Sequence, residues 1–203
     1  MDRATLKSMA KEHIKGNIGI LFVITLLTGL ASAVCSVIPG IGAVVAALIV
    51  TPALSIAYIH IYLDQAKGIK PSVKELFAHF GEFWPAFKVT FLTGLFTVLW
   101  MLLLIIPGYV KALSYSQAMY ILAENPGIGA REALKRSEEM MKGHKMELFV
   151  LMLSFLGWIL LSVITFGIAL IWVMPYMQAT MTNFYNSIKP AVVEAEPVVE
   201  IEG

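Results

Sequence analysis

Apolar residues run along this chain in blocks far longer than a surface helix needs. No charged residue lies between Lys15 and Asp64, between Lys88 and Lys111, or between Glu147 and Lys189. A helix needs about 20 apolar residues to cross a bilayer, so each of the two longer gaps has room for two helices and a tight turn. Six hydrophobic segments can be drawn: 17–38, 41–63, 86–106, 108–123, 148–165 and 168–187. They pair as three hairpins around Ile38-Pro39-Gly40, Ile106-Pro107-Gly108 and Thr165-Phe166-Gly167. Proline cannot continue a helix and glycine accepts dihedrals closed to other residues, so both suit a reversal. The fourth segment is short and carries Lys111; it is the one expected to be tilted, partial or re-entrant.

An amphipathic stretch precedes each hairpin. The first puts Leu6, Met9, Ala10, His13 and Ile14 on one helical face. The second carries Val73, Leu76, Phe77, Phe80, Phe83, Trp84 and Phe87, and Ser72 with Glu75 after Pro71 has the spacing of a capping box. The third aligns Ala130, Ala133, Leu134, Ser137, Met140 and Met141. Its other face sets Glu132 with Arg136, Lys135 with Glu139 and Glu138 with Lys142, at the spacing where helical side chains meet. Such helices are expected to lie in the membrane interface or to dock under the bundle.

The expected fold is therefore all-α: a polytopic membrane helix bundle of three transmembrane hairpins (about six spans), each led by an interfacial helix. The glycine spacing supports a threefold internal repeat. Gly16, Gly81 and Gly143 stand at one spacing before Phe22, Phe87 and Phe149. Tyr115-Ser116-Gln117-Ala118 and Tyr176-Met177-Gln178-Ala179 echo one another on the second helices. Residues 1–189 form one transmembrane domain with pseudo-repeats at 1–65, 66–125 and 126–189. The tail 190–203 is acidic, has no base and is expected to be disordered.

Composition agrees. The chain is 58% hydrophobic and 14% charged, against about 25% charged in soluble domains. A net charge of +1 gives no case for nucleic-acid binding. The one cysteine, Cys35, excludes an intramolecular disulfide and reads as an apolar filler. Ala31-Ser32-Ala33 resembles a signal cleavage site, but the apolar run continues past it and further segments follow, so a retained first helix is expected. Lys and Arg cluster in the N-terminal stretch, the second and fourth connections and at Lys189, with Lys111 alone near the other side. The positive-inside rule then places both termini and all three amphipathic helices in the cytoplasm.

Several motifs carry a resemblance: Leu104-Ile105-Ile106-Pro107-Gly108, Ala112-Leu113-Ser114-Tyr115-Ser116, Lys142-Gly143-His144-Lys145, Leu153-Ser154-Phe155-Leu156-Gly157-Trp158 and Pro175-Tyr176. Over about residues 5–188 the chain resembles the integral membrane family known as domain of unknown function 975. The helix layout is also distantly similar to the membrane region of glycerophosphodiester phosphodiesterases, without their hydrolase domain. The family resemblance implies a multi-pass protein of the bacterial cytoplasmic membrane and carries over no catalytic residues.

No catalytic, cofactor-binding or metal-binding constellation stands out, so an enzyme is not expected. His60 has no carboxylate or second histidine at ligand spacing and reads as a core or headgroup-facing residue; His79 and His144 are expected to be exposed. Lys111 is read as snorkelling to the outer interface, or as an anion contact there. Gln117, Gln178 and Asn183 are polar residues within spans, suited to interhelical hydrogen bonds or to lining a path. Pro52 and Pro175 interrupt second helices, as kinks or as marks of a transport site. Membrane lipids are the expected partners, with a protein partner able to dock on the cytoplasmic helices. The favoured function is a non-catalytic module handling a lipid or hydrophobic ligand. A transporter or permease component and a membrane assembly partner are the alternatives.

Overall fold

The computed structural model describes residues 2–36 and 49–190. The expected turn at Ile38-Pro39-Gly40, the side chain of Cys35 and the acidic tail beyond Pro190 fall outside the described residues. Within them the chain is helical with no strand. The order is α1 (Arg3–Ile14), α2 (Ile18–Ser36), α3 (Thr51–Ala66), α4 (Glu75–Ala78), a 3-10 turn (Phe80–Glu82), α5 (Phe83–Leu103) and α6 (Ile105–Tyr115). Then follow α7 (Ala118–Glu124), α8 (Ala130–Met140), α9 (Lys145–Leu153), α10 (Leu156–Ile164) and α11 (Leu170–Ile188).

The helices divide by what surrounds them. α3 and most of α11 pack against protein: Ile56, Ile61 and Tyr62 of the first and Val173, Tyr176 and Phe184 of the second are buried, while Leu170, Ile171 and Met174 at the start of α11 are exposed. They contribute to both hydrophobic clusters. One cluster joins them to α1, α2 and α9 through Leu6, Ala10, Leu21, Leu148 and Phe155. The other joins them to α5, α7 and α8 through Val89, Ile121, Ala133 and Leu134. The α5–α6 and α10–α11 hairpins instead turn Leu102, Leu103, Ile105, Ile106, Val163, Ile164 and Phe166 outward. A contiguous apolar surface of that kind is paid for only where lipid or protein covers it.

Among the described residues, two helical stretches are long and apolar enough to cross a membrane, Phe83–Leu103 and Lys145–Ile164, the latter running through α9 and α10, and only 11% and 22% of their apolar windows are buried. A third candidate is the pair Arg3–Ile14 and Ile18–Ala31, bent by 95°. Length and apolarity thus support two or three crossings. The expected fourth span is two short helices, α6 and α7, broken at Ser116-Gln117. α11 is long enough but carries Gln178, Thr180, Thr182, Asn183 and Asn186, which belong against protein. Hydroxyl groups inside apolar helices close on their own backbone. Thr25 and Thr28 donate to the Leu21 and Ile24 carbonyls, both at 2.8 Å.

The third turn forms where expected. Phe166 and Gly167 take φ of 50° and 87°, and Gly167 N–H donates to Ser162 O at 2.7 Å, closing the end of α10. The second reversal falls earlier than expected, at the extended residue Leu104, and Ile106-Pro107-Gly108 lies in the first turn of α6. Proline is tolerated there because first-turn N–H groups have no helical acceptor.

Two amphipathic helices form as read. α1 buries Leu6, Ala10 and Ile14, mainly against α11, and α8 buries Ala130, Ala133, Leu134 and Ser137. The middle stretch does not make one helix. It breaks into α4 and the 3-10 turn, and only half of the Ser72–Glu75 capping box forms: the Glu75 carboxylate accepts from the Ser72 backbone N–H, while Ser72 Oγ accepts from Lys74 N–H at 3.3 Å instead of from Glu75. Phe77 and Trp84 of its expected apolar face point outward. On α8, Arg136 pairs with Glu132 at 3.0 Å as spaced, but Glu138 turns from Lys142 to Lys111 of α6.

Candidate functional site

Helices α3, α6, α7, α9 and α11 line an open cavity of about 430 Å³. Its wall is apolar at Ile59, Leu113, Leu148, Met152 and Met181, with Tyr58, Tyr109 and Tyr120 between. Two sequence-selected residues meet there, Gln117 and Gln178. They come from opposite sides, Gln117 from the break between α6 and α7 and Gln178 from α11 one turn after Pro175. Gln178 Nε2 donates to the Tyr120 hydroxyl at 2.8 Å. Gln117 Nε2 donates to Ser116 Oγ at 2.9 Å, while its buried Oε1 accepts no hydrogen bond from any described residue.

The break that presents Gln117 is braced from α8. Ser137 Oγ donates to Ser114 O at 2.7 Å and accepts from Gln117 N–H at 3.2 Å. One hydroxyl thus satisfies two backbone groups that the interruption between α6 and α7 would leave unpaired. A buried amide oxygen without a donor costs roughly 1–3 kcal/mol.

The other sequence-selected residues lie elsewhere. Asn183 is buried and donates through Nδ2 to Leu6 O at 3.3 Å, tying α11 to α1. Pro52 stands in the first turn of α3, after the π-helical residues 49–50, and Pro175 lies inside α11. Lys111 is not a lone cation at an outer surface. Its ammonium bonds Glu138 of α8 and lies 5.4 Å from the Trp100 ring centroid and 5.7 Å from that of Tyr115. The reading that set it apart from the charged helices is corrected by this pair, which holds it against one of them.

Two further features were not legible in the sequence. A larger cavity of about 840 Å³ is lined by His60, Lys67, Glu124, Arg136, Glu139 and Lys189 among others. Glu124 accepts there from Lys189 Nζ and from the Tyr185 hydroxyl, both at 2.7 Å. On its α3 side, His60 is not alone. Its ring stacks on His79 with centroids 3.8 Å apart and planes 5° apart. Glu82 bridges them, Oε2 to His60 Nε2 at 3.2 Å and Oε1 to His79 Nδ1 at 3.0 Å. Burial opposes ionisation of Glu82, but the hydrogen bonds from His79 and His60 outweigh it and hold its carboxyl below the usual carboxylate range. His79 is therefore half-buried in a cluster, not exposed as expected. The local signal was His79 and Glu82 three residues apart; His60 is brought to them by the fold alone.

The described residues are all helical, and two or three of their helices are long and apolar enough to cross a membrane, the make-up of a membrane-associated protein. The chain belongs to the family described as "Protein of unknown function (DUF975)", which it matches over residues 1–114 and 101–191. No curated protein and no solved structure matches it.

Proposed function

We propose that this chain is a non-catalytic membrane module that binds an amphipathic, lipid-like molecule between its helical hairpins. The observation that carries the reading is a cavity between helices in which Gln117 and Gln178 stand among apolar and tyrosine side chains. An alkyl chain suits Leu148, Met152 and Met181; a hydroxyl or amide on the same molecule suits Gln117 and Gln178. The outward apolar residues of the α5–α6 and α10–α11 hairpins support a position in lipid, from which such a ligand would come. In this reading the hairpins complete the multi-pass bundle of about six spans, with both termini on the cytoplasmic side.

Native mass spectrometry of the protein extracted gently from its membrane tests the binding. The expected result is one lipid or lipid-like adduct per chain, retained when bulk lipid is stripped and depleted in Gln117→Leu. A chain stripped clean, or an adduct indifferent to Gln117→Leu, overturns the reading. Reporter fusions at each terminus test the orientation; either terminus outside overturns that part.

A transport role is the second reading. Pro175 lies within α11, one turn from the cavity-lining Gln178, and an interrupted helix beside a binding cavity is a recurrent feature of carriers. Uptake of the same ligand into proteoliposomes, against binding alone, separates the two.

A further inference from the structure

We propose that His60, His79 and Glu82 hold a divalent transition-metal ion of the zinc class. One ligand atom from each residue lies within 4.8 Å of the others. His60 Nε2 meets Glu82 Oε2 at 3.2 Å and His79 Nδ1 meets Glu82 Oε1 at 3.0 Å, which holds both rings on one carboxylate. The rings stack only 5° from parallel, so one of them turns about its side-chain torsions for both lone pairs to meet a single ion at about 2.0–2.1 Å. Two imidazoles and a carboxylate are a donor set for zinc, cobalt or nickel; an all-oxygen set would have favoured magnesium or calcium.

The three side chains come from different places. His60 projects from α3, whereas His79 and Glu82 flank the 3-10 turn that leads into α5. Side-chain exposures of 18%, 24% and 28% keep the cluster reachable by an ion while shielding it from bulk water. The chemistry balances without a redox step. With Glu82 ionised, both rings donate N–H to it; on binding, each ring proton moves to its other nitrogen and frees a lone pair for the metal. A fourth position remains for water or an anionic oxygen. The ion would clasp α3 to the start of α5, joining the enclosed core to an apolar candidate span.

The full chain in detergent, with any affinity tag removed, is titrated with Co²⁺ and then Zn²⁺. Visible d–d absorption follows cobalt, and metal content is measured after dialysis. The expected result is one Co²⁺ per chain, displaced by Zn²⁺, with a raised melting temperature, since an ion that binds only the folded state stabilises it. His79→Gln keeps a hydrogen bond to Glu82 but loses the ligand. It should weaken binding by more than the roughly 10–100-fold that loss of an outer-shell partner costs. Glu82→Gln should do the same, and His144→Ala, which alters a separate exposed pair with Glu147, should not. No stoichiometric uptake by the unaltered chain, or uptake unchanged in both His79→Gln and Glu82→Gln, overturns the proposal. Circular dichroism of each variant separates lost binding from lost folding, and one folded variant of the two is enough to decide.

Discussion

The bare Cα of Gly108 lies so close to α5 that a Cβ built there would stand 2.7 Å from the Met101 Cα and backbone nitrogen. Glycine is what lets α6 fold back onto α5 at this point. Gly108→Ala should therefore destabilise the detergent-solubilised protein by about 1–3 kcal/mol, the usual range for overpacking. A melting curve followed by size-exclusion chromatography checks it. Gly94→Ala is the control, because nothing lies within 4 Å of a Cβ there. Equal melting of both variants would mean that the two helices do not approach this closely.

Lys111 and Glu138 are joined across 27 positions of sequence. Reversal of either charge places two like charges side by side and should lower the melting temperature. The double variant, Lys111→Glu with Glu138→Lys, should recover most of the loss. The coupling expected for a part-exposed pair is about 0.5–1 kcal/mol. A double variant no better than the sum of the singles would put Lys111 back at a surface remote from α8.

The two glutamines of the cavity should behave oppositely once the protein is stripped of lipid. Gln117→Leu removes an orphaned acceptor at the loss of one bond to Ser116, and stability should hold or rise by up to about 2 kcal/mol. Gln178→Leu breaks the bond to Tyr120 and should destabilise by about 1 kcal/mol. Thermal melting of both, lipid-free and with added lipid extract, is the check. Destabilisation by Gln117→Leu in the lipid-free protein would show that its oxygen is already satisfied.

Two amides hold α1 against the bundle through its backbone. Gln65 Nε2 donates to His13 O at 2.9 Å, and Asn183 Nδ2 donates to Leu6 O. Replacing both with Ala should raise amide hydrogen exchange across residues 3–14 while the α11 core keeps its protection. Exchange unchanged in α1 would mean that its apolar face alone docks it.

Where the sequence was legible, the reason is local. The buried faces of α1 and α8 follow from the helical period, which brings Leu6, Ala10 and Ile14 to one side whatever they pack against. The turn at Thr165-Phe166-Gly167 follows from the left-handed conformation that glycine takes without strain. The middle amphipathic stretch misled because its aromatic residues suit a helix face equally well whether it packs on protein or meets lipid.

The candidate site was half legible. Gln117 and Gln178 were identifiable as polar residues in apolar surroundings, since burying an amide demands a partner. That they share one cavity was not, because 61 residues separate them in the chain and only the packing of α11 across α7 brings them together.

By itself the sequence determined that the chain is helical, which stretches are apolar enough to cross a membrane, and which faces of α1 and α8 turn inward. Those properties depend on composition and on a period of a few residues. Only the tertiary structure decided that Lys111 meets Glu138, that His60 joins His79 and Glu82, and that Asn183 reaches Leu6 across 177 positions. Side chains so far apart along the chain meet through the packing of whole helices, and no local pattern records where a helix will be laid.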